Sequence, residues 1–319
     1  MRLLMKGGKE IKELLGKIIV DYTSDSQLQA DLIEVFEDKS RDYHFPFAKS
    51  LELHYSVFSE NHHDESKLND LKSCIELLIL ALDIIDDLQD NDNNESIWMK
   101  NNQASAINVS ISLMTIFQHK LLEVVDNKVL IQNLTNYLLK AIEGQHQDIN
   151  GIHNVQQYLD MTRQKSGSLM ALTNILGLPV ENSDYLRIVE DYSYDLGLIA
   201  QISNDIRDVI QFDEKSDWKL RKKTLPILYL LNPSIKEGEI VRSYYYGDLS
   251  FEELLPQKNE LITTLKQSGA LSFAFAQKII YENRVMNKIN SLPLSSNKKE
   301  TLCEHLLNKT KLPIEKELI

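Results

Sequence analysis

The chain has 319 residues, a net charge of −12, and only 11 glycines and 7 prolines. Glycine and proline at about half their usual share leave too few turns for a sandwich, barrel or propeller, while an apolar content of 43% suffices for a large core. An acidic surface repels phosphate backbones, which argues against a nucleic-acid partner.

From the N-terminus, lysines and glutamates break up the apolar residues of the first 20 positions. They leave no apolar core of the kind an export signal needs, and the expectation is a cytoplasmic protein. Helical periodicity then predicts helices over 9–20, 27–38, 48–59, 67–89, 104–123, 128–149, 154–176, 184–212, 224–232, 238–247, 251–266, 268–290 and 296–309. Polar or breaker-containing stretches separate them, and no segment alternates as a strand does. The longest apolar run, Ile75 to Ile85, contains Glu76 and Asp83, so it is too short and too charged to span a bilayer. Cys74, in that run, reads as a small buried hydrophobe; with Cys303 alone for company it suggests no disulfide framework. The expected fold is all-α, one domain over 1–319 with about a dozen helices.

Two helices carry polar residues where apolar ones are expected. In helix 67–89, Asp83, Asp86, Asp87 and Asp90 share one face after a nearly unbroken apolar stretch. Helix 184–212 carries Asn204, Asp205 and Asp208. Clustered carboxylates repel one another and cost stability unless a cation binds them. On that reasoning, removing one of them should relieve strain in the metal-free protein. Asp86 and Asp90 lie one turn apart, and hard oxygen ligands of this kind suit magnesium, which takes one or two carboxylates plus substrate phosphates. A second acidic helix opposite would close a cage around a diphosphate and favour loss of that group. Spacing alone leaves a second reading open, a solvated acidic helix end beside a polar loop.

An EF-hand fails, because no glutamate stands twelfth from Asp86, Asp87 or Asp90 and no glycine sixth. Glu60–His63 and Glu143–His146 have the ExxH spacing of di-iron bundles, although the first pair falls in a polar, loop-like stretch. Among the cations, Lys165 sits in a helix with apolar neighbours, and Lys222 precedes Pro226, a residue suited to a helix's first turn. Lysine near a helix start grips phosphate as a point charge, although a lone lysine is usually just solvated.

Together these motifs resemble the trans-isoprenyl diphosphate synthase superfamily. Asp86-Asp87-Leu88-Gln89-Asp90 matches its aspartate-rich DDxxD, and Gly144-Gln145-His146-Gln147-Asp148 looks like its GQ-xx-D segment. Lys165-Ser166 resembles a lysine–threonine pair that grips the allylic diphosphate. Gln201 with Asn204-Asp205-Ile206-Arg207-Asp208 is similar to the second aspartate motif, and Lys222-Lys223-Thr224-Leu225-Pro226 to the segment that follows it. Order and spacing agree over residues 45–230. The resemblance implies an all-α bundle around a central cavity, often a homodimer, binding an allylic prenyl diphosphate with Mg2+, three ions when diphosphate is bound. It places Asp86, Asp87, Asp90, Asn204, Asp205 and Asp208 around the metal, with Asp87 acting through a neighbour. Lys165, Gln201, Lys222 and Arg207 fall on the diphosphate. Leu78, Ala81 and Leu82, on the turns before Asp86, fall along the prenyl tail.

The departures are on the acceptor side. Chain-elongating members carry basic residues after the first motif and in a segment upstream of it, where they hold the diphosphate of isopentenyl diphosphate. Here residues 91–99 read NDNNESIWM, and 42–55 read DYHFPFAKSLELHY with Lys49 as the one basic residue. A chain that keeps the donor side and loses the acceptor side resembles the branch that prenylates a tryptophan of a pheromone precursor peptide in bacterial competence and quorum sensing. Indole C3 is an electron-rich carbon and can replace the alkene. A short-chain prenyl diphosphate synthase, a class I terpene cyclase and a non-catalytic binding partner of the same fold are the alternatives.

Overall fold

A computed structural model describes residues 2–41, 43–59, 64–91, 93–179, 183–212 and 217–307. These residues are helical with connecting turns and contain no strand, as the periodicity predicts. They form two compact units, Met1–Asn136 with Leu172–Leu186, and Tyr137–Ala171 with Arg187–Ile319.

The first unit holds α1 (Arg2–Tyr22), α2 (Ser26–Lys39), α3 (Pro46–Phe58), α4 (Glu65–Asp90), α5 (Ile97–Lys100), α6 (Gln103–Val124) and the start of α7 (Lys128–Asn150). Its axis is α4, which packs chiefly on α6 and α3. Asp64 caps α4 by accepting from the Lys67 N–H at 3.0 Å, the expected use of a short carboxylate before a helix. Thirteen residues between Leu68 and Ile84 are buried, which is why this stretch is apolar on nearly every side. The helix stops at Asn91, in the left-handed conformation (φ 49°) that asparagine tolerates better than most residues. That stop puts Asp86 to Asp90 on the last turns of α4.

In the second unit α7 continues into α8 (Val155–Thr162), a π-helical turn (Arg163–Gly167) and the start of α9 (Ser168–Leu176), whose residues from Leu172 on belong to the first unit. Next come α10 (Ser183–Ile210), α11 (Leu225–Leu231), α12 (Glu239–Tyr246), α13 (Phe251–Leu254), α14 (Lys258–Gln267), α15 (Ala270–Ser291) and α16 (Ser296–Leu307). Three predicted outlines change. Helix 154–176 contains the π turn; helix 251–266 is interrupted by a 3-10 turn over Leu255–Gln257, where Pro256 cannot donate to the α ladder. The short α5 appears inside what reads as a polar loop.

The π turn has a packing cause. A Cβ on Gly144 of α7 would come within 2.2 Å of the Lys165 backbone nitrogen, and one on Gly197 of α10 within 2.4 Å of Gly167. Glycine-faced stretches of α7 and α10 therefore meet the backbone of residues 165–167. A wider helical turn there re-aims the side chains it carries, and π bulges recur at functional positions.

Candidate active site

In the first unit the DDxxD motif ends α4 with no basic residue in the helix's last turn. The partial negative charge of the helix C-terminus adds to the repulsion among these carboxylates, so the motif needs a counter-charge from outside the helix. Asp83, Asp86, Asp87 and Asp90 are partly exposed. Asp83 is paired with Lys39 of α2 at 2.7 Å. Asp87 turns away to a structural task. Its Oδ2 accepts the Trp98 indole N–H at 2.9 Å and the Asn93 side-chain amide at 2.9 Å. Burial raises its pKa against the lowering effect of these two donors. Of the tail positions, Ala81 and Leu78 are fully buried and Leu82 is half-buried, with Ser110 of α6 donating to the Ala81 carbonyl at 2.8 Å.

The second unit gathers four of the sequence motifs. Lys165, on the π turn, donates to Asp148 Oδ2 of α7 at 3.0 Å. Its neighbour Ser166 donates to Gln201 Oε1 at 3.4 Å, and the Gln201 amide donates to Asp205 Oδ1 at 2.9 Å. Asp205 is 3% exposed. Its Oδ2 accepts from the Tyr158 hydroxyl at 2.6 Å and from the Leu225 N–H at 3.2 Å. Burial pushes its pKa up to about 6, while these donors hold it down. The carboxylate is thus satisfied by neutral donors, not by a cation. Asn204 and Arg207 are exposed and bonded to each other at 3.2 Å. Lys222 lies 3.8 Å from Asp217, whose charge also reaches Asp205. Thr224 stands at the N-cap position of α11 without a side-chain cap bond, and Pro226 sits in the helix's first turn, as anticipated.

Of the di-iron candidates, Glu60 and His63 lie outside the described residues, and His146 is bonded to Asn150. Among the described residues no three His, Cys, Asp or Glu side chains gather as a metal cage. The chemistry of the first motif suits magnesium: Asp86 and Asp90 offer hard, partly exposed oxygens one turn apart at the end of α4, where the helix C-terminus adds negative charge.

Lys165 bonds Asp148 and Gln201 bonds Asp205, so residues of separate motifs meet within the second unit. The polyprenyl synthetase profile matches residues 48–256, a span that holds them all. The chain belongs to the polyprenyl synthetase family. Within curated relatives it is 34% identical over 297 residues to the tryptophan prenyltransferase ComQ of Bacillus subtilis strain 168, covering 92% of this chain and 97% of that one. ComQ of Bacillus subtilis subsp. natto is 30% identical, covering 93% and 91%. The heptaprenyl diphosphate synthase component 2 of Bacillus subtilis is 26% identical over 52% of this chain and 49% of its own. In fold, the chain superposes on heptaprenyl diphosphate synthase from Staphylococcus aureus with a TM-score of 0.80 at 19% identity, covering 96% and 97%. Membership of the family makes the chain a prenyltransferase.

Several residues escaped the sequence reading. Tyr158, flanked by Gln157 and Leu159, has nothing in the sequence to single it out; its hydroxyl on Asp205 becomes visible only when α8 and α10 are seen together. Trp98 reads as loop. The glycines 144, 167 and 197 were a usable signal, since glycine inside helices marks close backbone approach.

Proposed function

We propose that this polyprenyl synthetase transfers a farnesyl or geranyl group from an allylic diphosphate to a tryptophan of a pheromone precursor peptide, with magnesium. The observation that carries the reading is the match to ComQ along nearly the whole chain. It is supported by a kept donor side, Lys165–Asp148 and Gln201–Asp205, beside acceptor segments without the family's basic residues.

Lys165 and Lys222 stabilise the leaving diphosphate as negative charge collects on it, and Arg207 adds to the field. Magnesium would be bound by Asp86 and Asp90 in the first unit and by Asp205 and Asp208, with Asn204 as a neutral oxygen donor, in the second, and we infer three ions with bound diphosphate. When bound, magnesium neutralises the diphosphate and favours breaking of the allylic carbon–oxygen bond. Asp87 holds Trp98 and so fixes the segment after the motif. The allylic cation then bonds to indole C3, and the departing diphosphate takes the proton released from the indole. Leu78, Ala81 and Leu82 line the tail.

We take residues 1–319 to work as one functional domain. No described helix is long and apolar enough to cross a membrane, which is compatible with a cytoplasmic enzyme. Ile107, Ile111 and Leu122 stand at least half-exposed on one face of α6, and this stripe supports a homodimer. The test is incubation with magnesium, farnesyl diphosphate, isopentenyl diphosphate and a tryptophan-containing peptide, read by mass. A peptide heavier by one farnesyl group is expected; elongation of isopentenyl diphosphate instead would favour the short-chain synthase.

A further inference from the structure

Arg221, the residue directly before Lys222, has φ 53°. An ordinary side chain takes this left-handed conformation only where its surroundings impose it, and such residues cluster at functional sites. What imposes it here is α12. The Tyr245 hydroxyl donates to the Lys222 carbonyl at 2.8 Å, and the hydroxyl of its neighbour Tyr244 donates to the Trp218 carbonyl at 2.6 Å. The Arg221 guanidinium lies 4.7 Å from the centre of the Tyr244 ring and donates to the Leu249 carbonyl, just past the end of α12, at 3.1 Å. Two bonds within the turn complete it, from the Arg221 N–H to the Trp218 carbonyl at 3.0 Å and from the Lys222 N–H to the Asp217 carbonyl at 2.9 Å.

The same turn is tied to the helix of the second aspartate motif. Trp218 is 1% exposed and donates its indole N–H at 3.0 Å to the carbonyl of Val209, the residue after Asp208 on α10. Residues 217–222 are thus fastened to α10 at one end and to α12 at the other, all within the second unit. The consecutive cations of this stretch part company. Arg221 spends its charge on the Tyr244 ring and the Leu249 carbonyl. Lys222 stays on the side of the motif, 3.8 Å from Asp217, whose charge reaches Asp205. A lysine is a point charge on a flexible stem. Fixing the backbone beneath it removes part of the ordering that a phosphate contact otherwise costs.

We propose that Tyr245 and Arg221 are positioning residues for Lys222: α12 holds the backbone of the turn so that the Lys222 ammonium meets the diphosphate as it leaves. This inference deepens the reading above and rests on it, since it takes Lys222 as a grip on diphosphate.

Binding of inorganic diphosphate to the full chain with magnesium, followed by calorimetry, needs no peptide and so tests the turn apart from the acceptor. Tyr245→Phe removes one hydroxyl and keeps the ring. It is expected to weaken binding about fivefold, the scale of one hydrogen bond. In a Lys222→Ala background it should change nothing, because its effect runs through Lys222. A merely structural role would leave the same loss in both backgrounds. Wild-type affinity in a folded Tyr245→Phe, or an equal loss with and without Lys222, would overturn the proposal. Should Tyr245→Phe not fold, Arg221→Lys decides by the same cycle, since it keeps the charge but loses the fork held by Tyr244 and Leu249. A loss that disappears with Lys222 supports the clamp, and any other result overturns it. No binding by wild type, or undiminished binding by Lys222→Ala, would instead overturn the role given to Lys222 in the proposed function, and this inference with it.

Discussion

The Tyr158 hydroxyl donates to Asp205 at 2.6 Å inside the second unit, where Asp205 is 3% exposed. The bond reverses one expectation drawn from charge repulsion alone. Asp205→Ala leaves Tyr158, Gln201 and the Leu225 N–H without their acceptor, and orphaned buried donors cost about 1–3 kcal/mol. Asp86 is partly exposed, so water can reach its surroundings as it cannot reach those of Asp205. Both alanine variants are expected to lose prenyl transfer, but only Asp205→Ala should lower the urea midpoint clearly. Equal midpoints would refute the anchoring role.

Burial raises the Asp205 pKa to about 6, above the ordinary aspartate value of 3.8. A folded-state pKa above the unfolded one means that the folded protein binds this proton more tightly. The group's contribution to stability is therefore greatest below about pH 4 and is lost as pH rises towards 6. Asp205→Asn keeps the shape and one acceptor oxygen without the charge, at a cost that does not vary with pH because its NH2 replaces the other acceptor. Its stability relative to wild type, measured without metal, should improve between pH 4 and 6 and then level off; a flat difference would contradict the shift.

Gly144→Ala places a methyl 2.2 Å from the Lys165 backbone nitrogen. Backbone cannot yield as a flexible side chain does, so the π turn must shift, at a cost of about 1–3 kcal/mol. Because that turn carries Lys165, the KM for the allylic diphosphate should rise more than kcat falls. An unchanged KM would separate the glycine packing from the donor site.

Isopentenyl diphosphate should be a poor acceptor. The segments that would hold its diphosphate present Tyr43, Phe45 and Trp98, and the nearby Lys39 is committed to Asp83. Labelled isopentenyl diphosphate with farnesyl diphosphate and magnesium checks this; efficient formation of a longer labelled diphosphate would point to a chain-elongating enzyme.

Ala81→Phe should shift donor preference from farnesyl towards geranyl diphosphate. A phenyl ring displaces a few methylenes of tail, and each buried CH2 contributes about 0.8 kcal/mol. Ala81 is fully buried, so the competition between donors is read together with the melting temperature. An unchanged ratio in a folded variant would remove Ala81 from the tail lining.

Helix positions, the acidic motif at the end of α4, the lysines and the first-turn proline of α11 were all legible in the sequence alone. They depend on local periodicity, short-range spacing and breaker residues, which the chain displays in one dimension. Tertiary structure decided what each charge meets. It showed Asp205 buried among neutral donors, Asp87 holding Trp98, Asp83 held by Lys39, and Lys165 set on a π turn by Gly144 and Gly197. These outcomes depend on residues far apart in sequence, and burial turns a carboxylate that repels its neighbours into one that its neighbours require.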